Sequence, residues 1–272
     1  MMRKLGKSSM PRVRGNCAQA FTFTELAAIV SVVVVLTLVG IPAANWIGYK
    51  SKEKSCLANL RQLGMAMSSY ETSNDGRLPF AFIEYNESKF VSWDRLIYSY
   101  GSFGANQKGL LRCPSDTIPA NGAAPRRTYA MPKHSMDQWN WPPAPGNATG
   151  VGLWWSPRGR WHAALASVNS SNSVPSMRAD LISAPAMTAL LTEQAQRYNV
   201  EFSYAGAAID GPASHLDAKI LTASQYHGGK FNYLMVDGHV RLLSPLESVG
   251  ESDPMFDDPT AQFENVWTIK HH

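Results

Sequence analysis

An α+β fold, a long N-terminal helix leading into a globular head built on an antiparallel β-sheet, is what the sequence predicts from three observations. An apolar run without formal charge, Leu26 to Tyr49, passes directly into a stretch whose apolar residues recur at steps of three and four. The turn residues of "SNDGRLP", from Ser73, close that stretch. Late in the chain, "FNYLMVDGHVRLL" alternates on either side of an Asp237-Gly238 pair, the pattern of a β-hairpin.

Taken in order, the chain opens on a basic leader. Residues 1–20 hold Arg3, Lys4, Lys7, Arg12 and Arg14 and no acid, a local charge of +5 against +4 for the whole. The other 20 basic and 21 acidic residues nearly cancel. Basicity therefore belongs to the tail, which argues against a nucleic-acid partner. The 272 residues suffice for one domain plus an appendage.

The run Leu26 to Tyr49, as a helix, reaches roughly 36 Å, enough to cross a bilayer core. Residues 21–49 are expected to form a transmembrane helix, with Gly40 and Pro42 bending or loosening it. An ordinary secretory signal fits less well. The leader is long, and "GIPAAN" places Ile41 or Pro42 where cleavage needs a small residue. Cys17 precedes the apolar run, unlike the cysteine of a lipoprotein signal. Glu25, at the start of the run, is the residue to explain, because a carboxylate in hydrocarbon costs about 2.5–3.5 kcal/mol.

Residues 50–272 make the head. Cys56, Leu60, Leu63, Met67 and Tyr70 form one apolar stripe, with Lys52, Lys54, Arg61 and Gln62 off it, and the helix is expected to stop near Ser73. "AMTALLTE", 186–193, reads as a buried strand ending at Glu193. A two-residue turn at Asp237-Gly238 sets a register with Tyr233 and Leu242, and Met235 and Val240, on one face against the helix. Residues 134–178 hold Trp139, Trp141, Trp154, Trp155 and Trp161 among prolines and glycines, either a small satellite core or a binding surface for glycan or protein.

The leader followed by "AFTFTELAAIVSVVVV" resembles the type IV prepilin and pseudopilin signature. The later "KSCLANLRQLGMAMSSYETSNDGRLP", "LRCPSD", "RTYAMP" and "HGGKFNYLMVDGHV" resemble a pilin-like subgroup with a C-terminal His-x9-Asp-Gly signature. The resemblance implies a prepilin peptidase that cuts between Ala20 and Phe21 and methylates Phe21; Ala20 stands where the family has glycine. It implies that Glu25 pairs with the amino terminus of a neighbouring subunit in a filament. The implied function is a structural, non-enzymatic subunit of a type II secretion or type IV pilus-like filament. Its partners are the peptidase, other pilin-like subunits and the membrane. The implied location is the inner membrane, single-pass, with the N-terminus cytoplasmic and the head periplasmic, and the cell surface once assembled. The alternative is a membrane-anchored binding module that uses the tryptophan-rich stretch. With Cys17 removed in the leader, Cys56 and Cys113 remain as a pair, expected to form a disulfide in an oxidising compartment.

No P-loop, dinucleotide fingerprint, HExxH or Gly-x-Ser-x-Gly occurs, so no enzyme class and no cofactor is expected. His227, Asp237, His239 and Glu193 are the candidate metal ligands, with the right donor atoms for a borderline or hard cation. Against them stands a structural role, since Asp237 serves the hairpin and His227 precedes Gly228 and Gly229. "ESDPMFDDP", 251–259, is acidic but matches no calcium-loop spacing.

Overall fold

Thr22 and Glu25 start the first helix, α1 (Phe23–Ser73), as a reciprocal capping box. The Glu25 amide donates to Thr22 Oγ1 at 3.3 Å, and the Thr22 amide donates to Glu25 Oε2 at 2.9 Å. Two amides that the first helical turn leaves without partners are thereby satisfied, and the carboxylate sits at the positive end of the helix dipole. The computed structural model describes residues 22–86, 89–101, 109–119, 123–133, 150–155, 176–194, 196, 198–209, 226–249 and 266–267, without the side chains at 40, 42–45, 85–86, 89 and 154–155. The leader, the junction Ala20-Phe21, the acidic loop 251–259 and the tryptophan-rich stretch 134–178, apart from residues 150–155 and 176–178, lie outside these residues.

The chain divides into two units, 1–47 and 48–272. In the first, Leu26, Ile29, Val30, Val32 to Leu36, Leu38 and Val39 are all exposed. The expectation of a membrane-spanning half is corrected here: among the described residues, no helix is long and apolar enough to cross a membrane. The described apolar run Leu26–Val39 reaches about 21 Å at ~1.5 Å per residue, short of the roughly 30 Å of hydrocarbon. Beyond it Gly40, Pro42 and Asn45 dilute the apolar character. The α+β architecture with a transmembrane half, the transmembrane pseudopilin assignment and the single-pass inner-membrane location are corrected with it.

In the second unit α1 buries Cys56, Leu60, Leu63, Ala66 and Met67 and leaves Lys52, Lys54, Arg61 and Gln62 exposed. After α1 come β1 (Phe82–Asn86), β2 (Lys89–Ser92), the short helix α2 (Trp93–Leu96), β3 (Tyr129–Pro132) and β4 (Trp154–Trp155). A 3-10 turn (Ala179–Leu181) precedes β5 (Ala189–Glu193), β6 (Ala208–Ile209), β7 (Phe231–Met235), β8 (Val240–Leu243) and α3 (Pro245–Val249).

These strands form two sheets, ordered β2-β1-β4 and β6-β3-β5-β7-β8. The expectation of one antiparallel sheet is corrected, because β1–β4 and β3–β6 pair in parallel. Both parallel partners, β4 and β6, are two-residue strands laid on the edges by returning chain, where loop connections leave direction free.

The five-stranded sheet has a core on each face. Tyr129, Met131, Leu191 and Leu234 join the α1 stripe in one cluster, while Ala130, Ala189, Tyr233 and Met235 join Tyr226, Phe231, Val266 and Trp267 in the other. This is the period-two alternation of a sheet buried on both sides. Gly64 brings α1 close to β7, since a Cβ there would lie 3.1 Å from Leu234 Cδ1.

The hairpin register differs from the expectation by one residue. Leu234 pairs with Val240 and Tyr233 with Arg241. The Met235 amide donates to the His239 carbonyl at 2.8 Å, so the loop holds three residues, Val236, Asp237 and Gly238. Gly238, at φ +91°, occupies the left-handed position of the bulge that closes such a loop. A one-residue shift reverses the faces of β8 relative to β7. Leu234 therefore faces α1, while Tyr233 and Met235 pack on the opposite face, where the Tyr233 ring meets Trp267 edge-on at 6.0 Å.

Candidate functional site

Each of the three later motifs contributes to one buried cluster beside the α1 stripe. The first delivers Cys113 on a turn in which the Asp116 amide donates to the Cys113 carbonyl at 2.8 Å. Cys113 is joined to Cys56 of α1 by a disulfide, closing a separation of 57 residues. On a chain-entropy model, a loop of that size contributes about 4 kcal/mol.

Asp116 is held from three directions. Its Oδ1 accepts from the Ile118 amide at 2.9 Å; its Oδ2 accepts from Arg126 Nε at 2.9 Å and Thr128 Oγ1 at 2.6 Å. Arg126 also donates to the carbonyls of Gln194 and Asn199, both at 3.0 Å, and to that of Gln196. The neighbouring Arg127 reaches a different set, as alternate side chains of an extended segment must. It donates to Asp94 Oδ1 at 2.7 Å, Asn199 Oδ1 at 2.7 Å and the Ser203 carbonyl at 3.0 Å, and its guanidinium lies over the Trp93 ring. Burial lowers the Arg127 pKa from its ordinary value, and the Asp94 carboxylate opposes that shift. Both ion pairs have no side-chain exposure.

Glu193, at the end of β5, projects into the same interior. Its Oε2 accepts from the Asn232 amide at 2.8 Å, and its Oε1 lies 3.1 Å from His227 Nε2. That nitrogen is in turn 3.5 Å from Cys113 Sγ. Burial pushes the His227 pKa down, but the hydrogen bond to Glu193 and its charge outweigh this, leaving it above the ordinary value. His227 takes a left-handed φ of +43°, uncommon for a side chain other than glycine, and Gly228 and Gly229 continue at +71° and +86°. Its Nδ1 is buried with no hydrogen-bond partner among the described residues.

The four expected metal ligands are therefore divided. Glu193 and His227 meet in the interior. Asp237 and His239 lie on the exposed hairpin loop, where Asp237 Oδ1 accepts from the His239 amide at 3.1 Å and lies 2.6 Å from its Nδ1. In place of Asp237 and His239, the two cysteines stand beside Glu193 and His227, and one donor atom from each of the four lies within 4.8 Å of every other.

Sequence reasoning missed the buried arginine–aspartate pairs and the closeness of the disulfide to His227. A signal existed for the first, two consecutive arginines ahead of an apolar strand in "RRTYAMP". For Glu25, the Thr-x-x-Glu spacing of a capping box was present at Thr22. No family model, no curated protein and no solved structure matches the chain, so the comparisons supply no support for a prepilin or pseudopilin assignment.

Proposed function

We propose that this chain is a non-enzymatic structural subunit that polymerises through the first half of α1, in the manner of a pilin-like filament, after peptidase removal of the basic leader. The observation that carries the reading is the exposed apolar surface of α1. Val33, Val35, Leu36, Leu38 and Val39 are each more than half exposed. Isolated exposed apolar residues are ordinary, but a continuous run of this kind marks an interaction surface, and the same run on a second copy is an apolar surface suited to cover it. Its burial at about 25 cal/mol per Å² is a strong driving force for assembly. The head supports the same reading, because the buried Arg126–Asp116 and Arg127–Asp94 pairs are spent on each other and on backbone groups, as suits a rigid scaffold.

The test uses the whole chain in detergent, diluted below the micelle concentration, with assembly followed by sedimentation and electron microscopy. The wild type is expected to form ordered multimers. Val33→Asp and Leu36→Asp are expected to remain single, with the thermal unfolding of the head unchanged. A wild type that stays monomeric on dilution, or variants that assemble equally well, would overturn the proposal. Mass spectrometry of the N-terminus tests processing, for which a mature terminus at Phe21 is expected.

A further inference from the structure

The disulfide, His227 and Glu193 form a cluster that the fold does not require in this form. A disulfide can be buried among apolar side chains alone, yet this one lies against an ionisable pair. The histidine of that pair holds an uncommon backbone conformation and carries a buried nitrogen without a partner among the described residues. Strained backbone and orphaned buried polar atoms concentrate where a structure serves a second state.

We propose that the reduced head binds one zinc ion through Cys56 Sγ, Cys113 Sγ, His227 Nε2 and a Glu193 carboxylate oxygen. The disulfide is then the metal-free, oxidised state of the same site. Around a tetrahedral zinc the ligand atoms stand roughly 3.3–3.8 Å apart, given metal distances of about 2.3 Å to sulfur and 2.0–2.2 Å to nitrogen and oxygen. His227 Nε2 already lies 3.5 Å from Cys113 Sγ and 3.1 Å from Glu193 Oε1, and all four donors fall within 4.8 Å of one another. The two sulfurs must part, which cleavage of their bond permits, and any pair near the 4.8 Å limit must close by about 1 Å to reach zinc geometry. Two thiolates with an imidazole select zinc over calcium or magnesium, which prefer all-oxygen sites.

The chemistry balances with a dithiol as reductant. The dithiol passes two electrons and two protons to the Cys56–Cys113 bond and closes to its own disulfide. Zinc then displaces the two thiol protons to solvent and takes the Nε2 lone pair; the proton that Nε2 donates to Glu193 leaves that atom as well, so that the bound ring is neutral with its proton on Nδ1. Hydrogen peroxide reverses the sequence: it takes the two thiolate electrons and two protons, leaves as two waters, and the re-formed Cys56–Cys113 bond releases the ion. All four residues are buried, so exchange of the ion requires a local opening of the head.

The experiment uses the full chain under argon, reduced with a water-soluble phosphine, which becomes its oxide and does not compete strongly for zinc. Cobalt(II) replaces zinc as the spectroscopic probe, followed by zinc competition. The expected result is one cobalt per reduced chain, with tetrahedral ligand-field bands and thiolate-to-cobalt charge transfer. The oxidised chain should give neither, and hydrogen peroxide should expel the ion. His227→Ala and Glu193→Gln, reduced in the same way, are expected to bind at least tenfold more weakly while keeping the charge-transfer band. If the reduced chain loses its near-ultraviolet circular dichroism, zinc should restore it, as metal-coupled folding requires. The proposal is overturned by a reduced chain that takes up no cobalt, by equal binding to the oxidised chain, or by variants that bind as tightly as the wild type. Zinc that binds but fails to refold an unfolded reduced chain overturns it as well.

Discussion

Removing Asp94 tests how much the buried charges hold the head together. Its Oδ1 accepts from Arg127 Nη1 at 2.7 Å and from Ser92 Oγ, and its Oδ2 accepts from the Phe202 amide at 2.7 Å. In Asp94→Ala the guanidinium keeps its bonds to Asn199 and Ser203 but loses the only carboxylate it contacts among the described residues. An unpaired buried charge costs about 3–5 kcal/mol. For a unit of this size each kcal/mol lowers the melting temperature by roughly 2–4 °C, so a fall of about 6–20 °C is expected. Differential scanning calorimetry, with urea unfolding for the free energy, measures it. A cycle with Arg127→Met and the double variant isolates the pair, and a coupling of about 2–3 kcal/mol is expected. A loss below about 1 kcal/mol, or no coupling, would refute the reasoning and mean that water reaches the pair in solution.

Gly238→Val is expected to cost about 1–2 kcal/mol from its positive φ alone, since no atom lies within 4 Å of the added Cβ; urea unfolding checks this, and Gly238→Asn should recover part. Gly150→Ala should be more damaging, because its Cβ would fall 2.0 Å from the Lys133 carbonyl oxygen; failure to destabilise in the same assay counts against the close approach of these segments. Glu25→Gln should preserve the helicity of α1, since glutamine also closes a capping box, whereas Glu25→Ala should lower it, as circular dichroism would show. If the glutamine variant loses filament assembly at unchanged circular dichroism, the charge itself pairs with a partner. Glu247 caps α3 by accepting from the Ser244 amide at 2.6 Å and is bridged by Lys230; the Ser244 amide first, and Lys230 after it, lower its pKa from 4.5 to about 2. A lowered carboxylate stabilises above its unfolded pKa, so this contribution is expected to be present above pH 4.5 and lost as pH falls to about 2. Glu247→Gln should flatten that part of the stability profile.

Local chemistry alone determined what depends on neighbours a few residues apart. The steps of three and four from Cys56 to Tyr70 marked the face of α1 that is buried, because side chains at that spacing share one side of a helix. Asp75 and Gly76 take positive φ just where α1 ends, as residue types tolerant of that conformation. The capping boxes at Thr22–Glu25 and Ser244–Glu247 were equally legible in their spacing, although the first was read as a charge awaiting a distant partner. What tertiary structure decided has no local signal. A loop of two or of three residues at Asp237-Gly238 suits the same dipeptide, and the choice fell to Leu234, which packs beside Gly64 of α1 and so fixes which face of β7 meets the helix. Asp94, Asp116, Glu193 and His227 lie far apart in the chain and each resembles an ordinary surface residue in its own segment. Only the closing of β3, β5 and β7 on one another removes them from water, and that desolvation turns them into partners of Arg127, Arg126, Asn232 and the Cys56–Cys113 disulfide.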